Sequence, residues 1–397
     1  MSETGDPTAS FRFRRLSFLV SVVFFSFFSR VIFSPLLPAI ESDLNISHVV
    51  GGSFFFFIAL GYTTTMLVSG HFTRFINHRS VIVIAVALAG VGVGLVALST
   101  SVTAMRLALI VVGVGAGLYP PSGITTLTSL VPKERWGTAT AIHEIGPNLV
   151  FVLAPFFAES MLRISDWRGA LLVTSGAAIV TALVYGIFSE GGRFRGAPPH
   201  FSKIRVVIGD PAFWMAAVFM MWAMVAHMGI YSMLPSYLVS EVGIRRATVN
   251  TVVGLSRTMG LVAIFLAGAL ADRFGVHRLL VFLGISGGVF ILGIGLFSGW
   301  PLVVAVFLQA LTSAALFPVV LTALSRVGPE ATRNLNISLT VPFGYILGGG
   351  LVPLGMGWVA ETASFRIGFL ILGGLMAAYA VGVALRRAKG SGAPLDL

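Results

Sequence analysis

Residues 16–40 read LSFLVSVVFFSFFSRVIFSPLLPAI, 25 residues with one charge, Arg30, near the middle. About 20 apolar residues cross a bilayer as a helix, so this stretch is long enough to span. An arginine at mid-depth costs roughly 2.5–3.5 kcal/mol on insertion scales, and something in the protein must offset that cost. Ser26 and Ser34 lie four residues to either side of Arg30, which puts all three on one helical face. That face is expected to turn toward a wet cavity, with Phe, Val and Leu turned toward lipid or other helices. The competing reading pairs Arg30 with a carboxylate on another helix, and the chain offers few intramembrane carboxylates to do so.

The same apolar texture runs through all 397 residues: 56% are hydrophobic, 10% are charged and the mean hydropathy is +0.94. Soluble domains carry about 25% charged residues. The composition is that of an integral membrane protein. The net charge of +11 does not point to nucleic acid, because the basic residues sit in short loops between apolar runs. Cysteine is absent, which excludes disulfides, thiolate metal sites and cysteine nucleophiles. No metal site, no cofactor and no enzymatic activity are expected. No phosphate-loop pattern ending in Gly-Lys-Ser/Thr is present, so any transport is expected to run on ion or substrate gradients. The first apolar run is too long for a cleaved signal and lacks a small-residue cleavage site, so it is expected to stay as the first spanning helix.

Twelve apolar runs are long enough to cross, at about 16–40, 50–70, 80–98, 104–130, 138–161, 170–188, 212–239, 248–270, 279–297, 301–324, 335–360 and 367–385. An even number places both termini on one side. With the N-terminus inside, the inner segments hold 18 of the 26 lysines and arginines and the outer loops hold five. This asymmetry predicts cytoplasmic termini and an inner (plasma) membrane location. The longest break, from Ser189 to Pro211, is polar and basic and contains Gly-Ala-Pro-Pro at 196–199. It is expected to be a cytoplasmic linker (189–211) between an N-terminal bundle (1–188) and a C-terminal bundle (212–397).

The two halves repeat. Gly70 and Gly268, Pro120 and Pro318, Gly146 and Gly344, Pro155 and Pro353, and Arg168 and Arg366 are each separated by 198 residues. Two repeats of the same topology imply a pseudo-twofold axis along the membrane normal, with a substrate site expected between the halves at mid-depth. The fold class expected is all-α integral membrane, twelve helices in two pseudo-symmetric bundles of six, acting as a monomer.

Between spans 8 and 9 the chain reads Gly268-Ala-Leu-Ala-Asp272-Arg273-Phe-Gly275-Val-His277-Arg278. This resembles the signature loop of the major facilitator superfamily, where the loop acts as a latch between transport states. The resemblance implies latch roles for Gly268, Asp272, Arg273 and Gly275, with Gly268 allowing close helix packing. The first-half loop keeps Gly70, Arg74 and Arg79, but Thr73 stands where the aspartate is expected. With twelve spans, the linker and the Trp167-Arg168 turn, the resemblance covers the whole chain. Arg30 resembles the span 1 arginine of the organic-anion branches, the anion:cation symporters and organophosphate exchangers. Arg257 resembles the span 8 arginine of the monocarboxylate transporters, with Val253 where a partner aspartate stands in them. Two patterns of drug/proton antiporters are broken: Leu109 occupies the place of the span 4 arginine, and the span 5 glycine cluster is reduced to Ala154-Pro155.

The candidate substrate contacts are Arg30, Arg257, His227, Tyr231, Tyr119 and Asn148. Arg257 shares a face with Asn250, Gly254 and Gly260, small residues that admit a ligand or a neighbouring backbone. His227 follows Arg30 by 197 residues, as Pro235 follows Pro38, with Tyr231 one turn on. A lone helical histidine is equally read as a packed, hydrogen-bonded side chain. Glu144 and His143, with Asn148 one turn beyond, form the candidate proton-coupling group, since a carboxyl at depth favours its protonated form. A salt bridge from Glu144 to Arg30 or Arg257 is the structural alternative. Gln309, Tyr62, Tyr119 and Tyr345 are polar tips on apolar helices, read also as packing or interhelix hydrogen bonds. The expectation is a secondary active transporter moving a small, carboxylate-type organic anion with a proton by alternating access. The other expectation is proton-driven efflux of drug-like amphipathic compounds.

Overall fold

The computed structural model describes residues 7–196, 204–328 and 333–388. Pro198, Pro199 and Lys203 of the connecting segment, and Lys389 near the C-terminus, lie outside the described residues. Twelve helices among them are long and apolar enough to cross a membrane. They are α1 (Leu16–Leu44), α2 (His48–Phe72), α3 (His78–Leu98), α4 (Val102–Leu130), α5 (Trp136–Ile164), α6 (Trp167–Phe188), α7 (Pro211–Ser240), α8 (Arg246–Phe274), α9 (Val276–Leu296), α10 (Trp300–Arg326), α11 (Leu335–Thr362) and α12 (Phe365–Ala388). No strand occurs among the described residues.

Helix starts follow local chemistry. Asn77, Ser101, Asp166 and Asp210 each accept a backbone N–H of the following first turn, opening α3, α4, α6 and α7. Such caps satisfy donors that have no partner inside the helix. The repeat seen in the chain is also a repeat of bonds. Arg168 donates to the carbonyls of Ala97 and Ser99 at the end of α3. Arg366, its counterpart, donates to Ser298 Oγ just past α9 at 3.2 Å. Gly90 of α3 lies against Ala178 of α6, and Gly288 of α9 lies against Gly373 and Ala377 of α12.

The chain forms two compact units. The first comprises Met1–Ile32, Leu60–Ala154 and Ser160–Pro199, and the second Phe33–Ala59, Pro155–Glu159 and His200–Leu397. In the first, α3 packs on α4 and α6, with Val81, Ile82, Ala85 and Val86 in its core. The second takes in the end of α1, the start of α2 and five residues of α5, because hydrogen bonds tie them to the C-terminal helices. Ser34 Oγ donates to the Tyr231 carbonyl at 2.7 Å, Ser236 Oγ to Glu41 Oε2 at 2.9 Å, and the Val49 N–H to Glu361 Oε1 at 2.8 Å. Glu159 accepts from Arg246 Nε at 3.3 Å.

A proline explains where the first of these bonds forms. Pro235 has no N–H, so the carbonyl of Tyr231, four residues earlier, lacks its usual intrahelical donor, and Ser34 donates to it instead. Pro35 does the same to Val31, where α1 is interrupted by a turn at Ile32, two residues past Arg30. Two helices of the second unit also widen into π-helix, α7 at Val225–Gly229 and α11 at Tyr345–Leu351. They cross through glycine: a Cβ on Gly348 would stand 2.5 Å from the Val225 nitrogen, and one on Gly229 would stand 2.5 Å from the Gly348 oxygen.

Candidate functional site

In the first unit Arg30 is buried at 5% exposure. Its guanidinium carbon lies 3.8 Å from the Phe27 ring centroid and 4.8 Å from that of Tyr62 on α2. Aromatic faces attract a cation and offset part of the cost of burying it. Ser26 is buried beside it on the same helix. Ser34 departs from the expected cavity-facing stripe, because its hydroxyl is committed to the Tyr231 carbonyl in the second unit.

Also in the first unit, Tyr119, His143 and Glu144 form a chain. Tyr119 Oη lies 2.7 Å from His143 Nε2, with the rings parallel and their centroids 5.9 Å apart. His143 Nδ1 lies 3.2 Å from Glu144 Oε1. Tyr119 and His143 are buried, whereas the Glu144 side chain is 40% exposed on this unit. An imidazole between a phenol and a carboxylate can pass a proton from one nitrogen to the other. Glu144 therefore pairs with His143 here. Asn148 Nδ2 donates to the Glu144 carbonyl of its own helix, which leaves its amide oxygen as the group able to meet a ligand.

In the second unit Arg257 is 4% exposed, and its guanidinium carbon lies 4.9 Å from the Tyr231 ring centroid. Tyr231 is buried on α7 just beyond the π-helical stretch. His227 sits within that stretch, partly buried and within electrostatic range of Arg257. Tyr231, one turn past the π-helical stretch, is the α7 side chain whose ring faces Arg257, and such stretches occur frequently at functional sites. A Cβ on Gly260 would meet Ala314 Cβ of α10 at 3.0 Å, so of the two neighbours its small size admits, a helix is the one that lies there. Asn250, one face with Arg257, donates to Glu159 Oε2 at 3.4 Å.

The two motif loops differ as their residues do. Asp272 and Arg273 are exposed, and among the described residues Asp272 has no hydrogen bond or ion pair. Gly275 has φ +83°, a left-handed backbone that glycine adopts without strain. Gly268 was expected to allow close helix packing; a Cβ there would meet nothing within 4 Å, so that reason does not hold. In the first-half loop, the start of the connecting segment lies along the turn. The Gly196 N–H donates to the Thr73 carbonyl, the His78 N–H to that of Phe194 and the Arg79 N–H to that of Gly192. These backbone bonds strap the loop at Thr73, the position where the second-half loop has Asp272.

Two polar side chains escaped emphasis in the sequence. Gln309 on α10 is fully buried and donates through Nε2 to the Ala226 carbonyl at 2.7 Å, inside the π-helical stretch. Glu41 is buried at the end of α1 between Ser236 Oγ and His48 Nδ1, the latter at 3.1 Å. The only sequence sign of either was a polar residue in an apolar run. No group of three metal-ligating side chains occurs among the described residues.

Comparison with known proteins agrees with this architecture. The family model described as Major Facilitator Superfamily matches residues 19–299 and 226–396. The cis,cis-muconate transport protein of Acinetobacter baylyi (strain ATCC 33305 / BD413 / ADP1) is 23% identical over 268 residues, which span 63% of this chain and 63% of that protein. Among solved structures, an occupied, inward-facing bacterial homolog of the human lysosomal transporter Spinster matches with TM-score 0.79 at 14% identity, over 98% of this chain and 97% of that one. A D-xylose-proton symporter matches with TM-score 0.74 at 15% identity, over 94% and 97%. At such identities the structures speak for the fold alone. The motif loop, the twelve helices and a family match running almost end to end leave one assignment: this chain is a multi-pass membrane protein and belongs to the major facilitator superfamily.

Proposed function

We propose that the protein carries a small, carboxylate-type organic anion across the membrane by alternating access, with a proton moving alongside. The observation that carries this reading is the pair of buried arginines, Arg30 and Arg257, each set against aromatic faces. A guanidinium offers fixed paired donors that match a carboxylate. A cation kept at such depth without a transport role would be an expense in a membrane protein, and intramembrane ionisable groups mark substrate paths by default. The similarity to a muconate transport protein supports an acid as cargo. Arg30, Arg257, His227, Tyr231, Tyr119 and Asn148 are the proposed substrate contacts, and Glu144 with His143 is the proposed proton carrier. The halves 1–188 and 212–397 are the proposed functional repeats, joined by 189–211, and the carrier acts as a monomer.

The test is a melting-temperature panel of the purified protein against mono-, di- and tricarboxylates, sugar acids and phosphate esters. At least one acid class should raise the melting temperature in a saturable way, because a ligand that binds only the folded state stabilises it. Stabilisation by cationic amphipathic drugs and by none of the acids would overturn the reading. In this proposal both termini and the linker lie in the cytoplasm, which the excess of lysine and arginine in those loops supports. Arg195 is exposed, so Arg195→Cys, the single thiol of the variant, should label from the cytoplasmic side alone. Labelling from outside would reverse the orientation.

A further inference from the structure

We propose that Gln309 selects for a hydroxyl group on the transported anion, accepting a hydrogen bond from it. This rests on the anion reading and names the second group such a substrate carries.

Gln309 lies in the middle of α10 with no exposed surface. Its Nε2 is held by the Ala226 carbonyl at 2.7 Å. That bond fixes the orientation of the amide, because the flipped form would set two oxygens against each other. Oε1 is then a buried acceptor, and among the described residues nothing donates to it. Folded proteins leave few such groups, and each calls for a reason. One turn before Ala226 on α7, the buried Trp222 has its Nε1 donor in the same condition. The lone acceptor, on α10, is thus tethered at Ala226, and the lone donor stands four residues before Ala226 on α7, at the entry to its π-helix.

A carboxylate accepts and cannot donate, so it satisfies an arginine or an indole but never Gln309 Oε1. The missing partner is a donor, O–H or N–H, and is taken as an O–H. A hydroxyl donates once and accepts twice, and so suits both side chains. A site built around such a bond rejects the analogue that lacks it, because the buried acceptor is then left unpaired. If Gln309 were simply a packing residue, its loss would change stability and leave ligand preference alone.

The experiment measures binding to the full-length protein in detergent of two matched pairs, 3-hydroxybutyrate against butyrate and malate against succinate, and of the neutral polyol xylitol. The expected result is at least a tenfold preference for the hydroxylated member of a pair. Gln309→Met, close in length and shape, should abolish the preference by weakening the hydroxylated member alone. Equal binding within both pairs by the unaltered protein overturns the proposal, as does a preference that survives Gln309→Met. If the variant does not fold, the preference of the unaltered protein decides alone. Binding of xylitol but of no acid, lost in Gln309→Met, would keep the hydroxyl assignment and remove the anion reading. Binding of none of the five overturns the hydroxyl proposal, and the melting-temperature panel of acids then decides the anion reading.

Discussion

Lysine in place of Arg257 should weaken binding of the transported anion at least about tenfold, and lysine in place of Arg30 should do the same. Both side chains are almost fully buried, so each guanidinium meets a ligand with little water to screen it. Lysine keeps the charge and loses the planar fork that binds both oxygens of a carboxylate. Removing a partner from a desolvated charge pair costs on the order of 2–5 kcal/mol, and about 1.4 kcal/mol is already tenfold. Lysine also gives up much of the stacking of Arg30 on Phe27 and Tyr62 and of Arg257 on Tyr231. That second loss belongs to the empty protein, so the melting temperature of the unliganded variants reads it separately. The substrate role predicts a large loss of affinity beside a small change in melting temperature. A purely structural role predicts a lower melting temperature with affinity intact in both variants.

Glu144→Gln should abolish accumulation against a gradient yet leave exchange of labelled for unlabelled substrate. The variant keeps the shape of the side chain and removes its capacity to take up and release a proton. Tyr119, His143 and Glu144 form one hydrogen-bonded chain, with His143 between a phenol and a carboxylate. Glutamine can still bond to His143, so the packing of Tyr119 on His143 should persist. Exchange of substrate needs no net proton movement, whereas accumulation does. Equal loss of both activities would make the Glu144–His143 pair a structural contact and nothing more.

Much of the architecture was legible from residue spacing. Spans of 20 or more apolar residues announce themselves, and an offset of 198 between Arg168 and Arg366 corresponds to two arginines that each bond at the end of the equivalent helix, Arg168 to backbone carbonyls at the end of α3 and Arg366 to the Ser298 hydroxyl just past α9. Aromatic packing around Arg30 was half legible: Phe27 lies on its own helix, three residues away, but nothing in the sequence brings Tyr62 of α2 beside it. The π-helical stretches were not legible, because π- and α-helix share the same hydropathy, and Gly229 and Gly348 are two of 46 glycines. Only the contact of their backbones distinguishes them. The grouping of residues 33–59 with the C-terminal helices was hidden for a similar reason. It depends on Ser34, Glu41 and Val49 finding partners 195 or more residues away, and periodicity carries no information about that. Gly268 shows the opposite failure. A glycine at a motif position invites a packing explanation, yet its surroundings are open.

The most direct test of anion transport is counterflow in proteoliposomes loaded with an unlabelled acid chosen from the melting-temperature panel. External labelled acid should enter transiently above its equilibrium level with the unaltered protein, and far less with Arg257→Lys at the same concentration. Full counterflow by Arg257→Lys and Arg30→Lys alike, or counterflow of cationic amphipathic compounds and of no acid, would contradict the account.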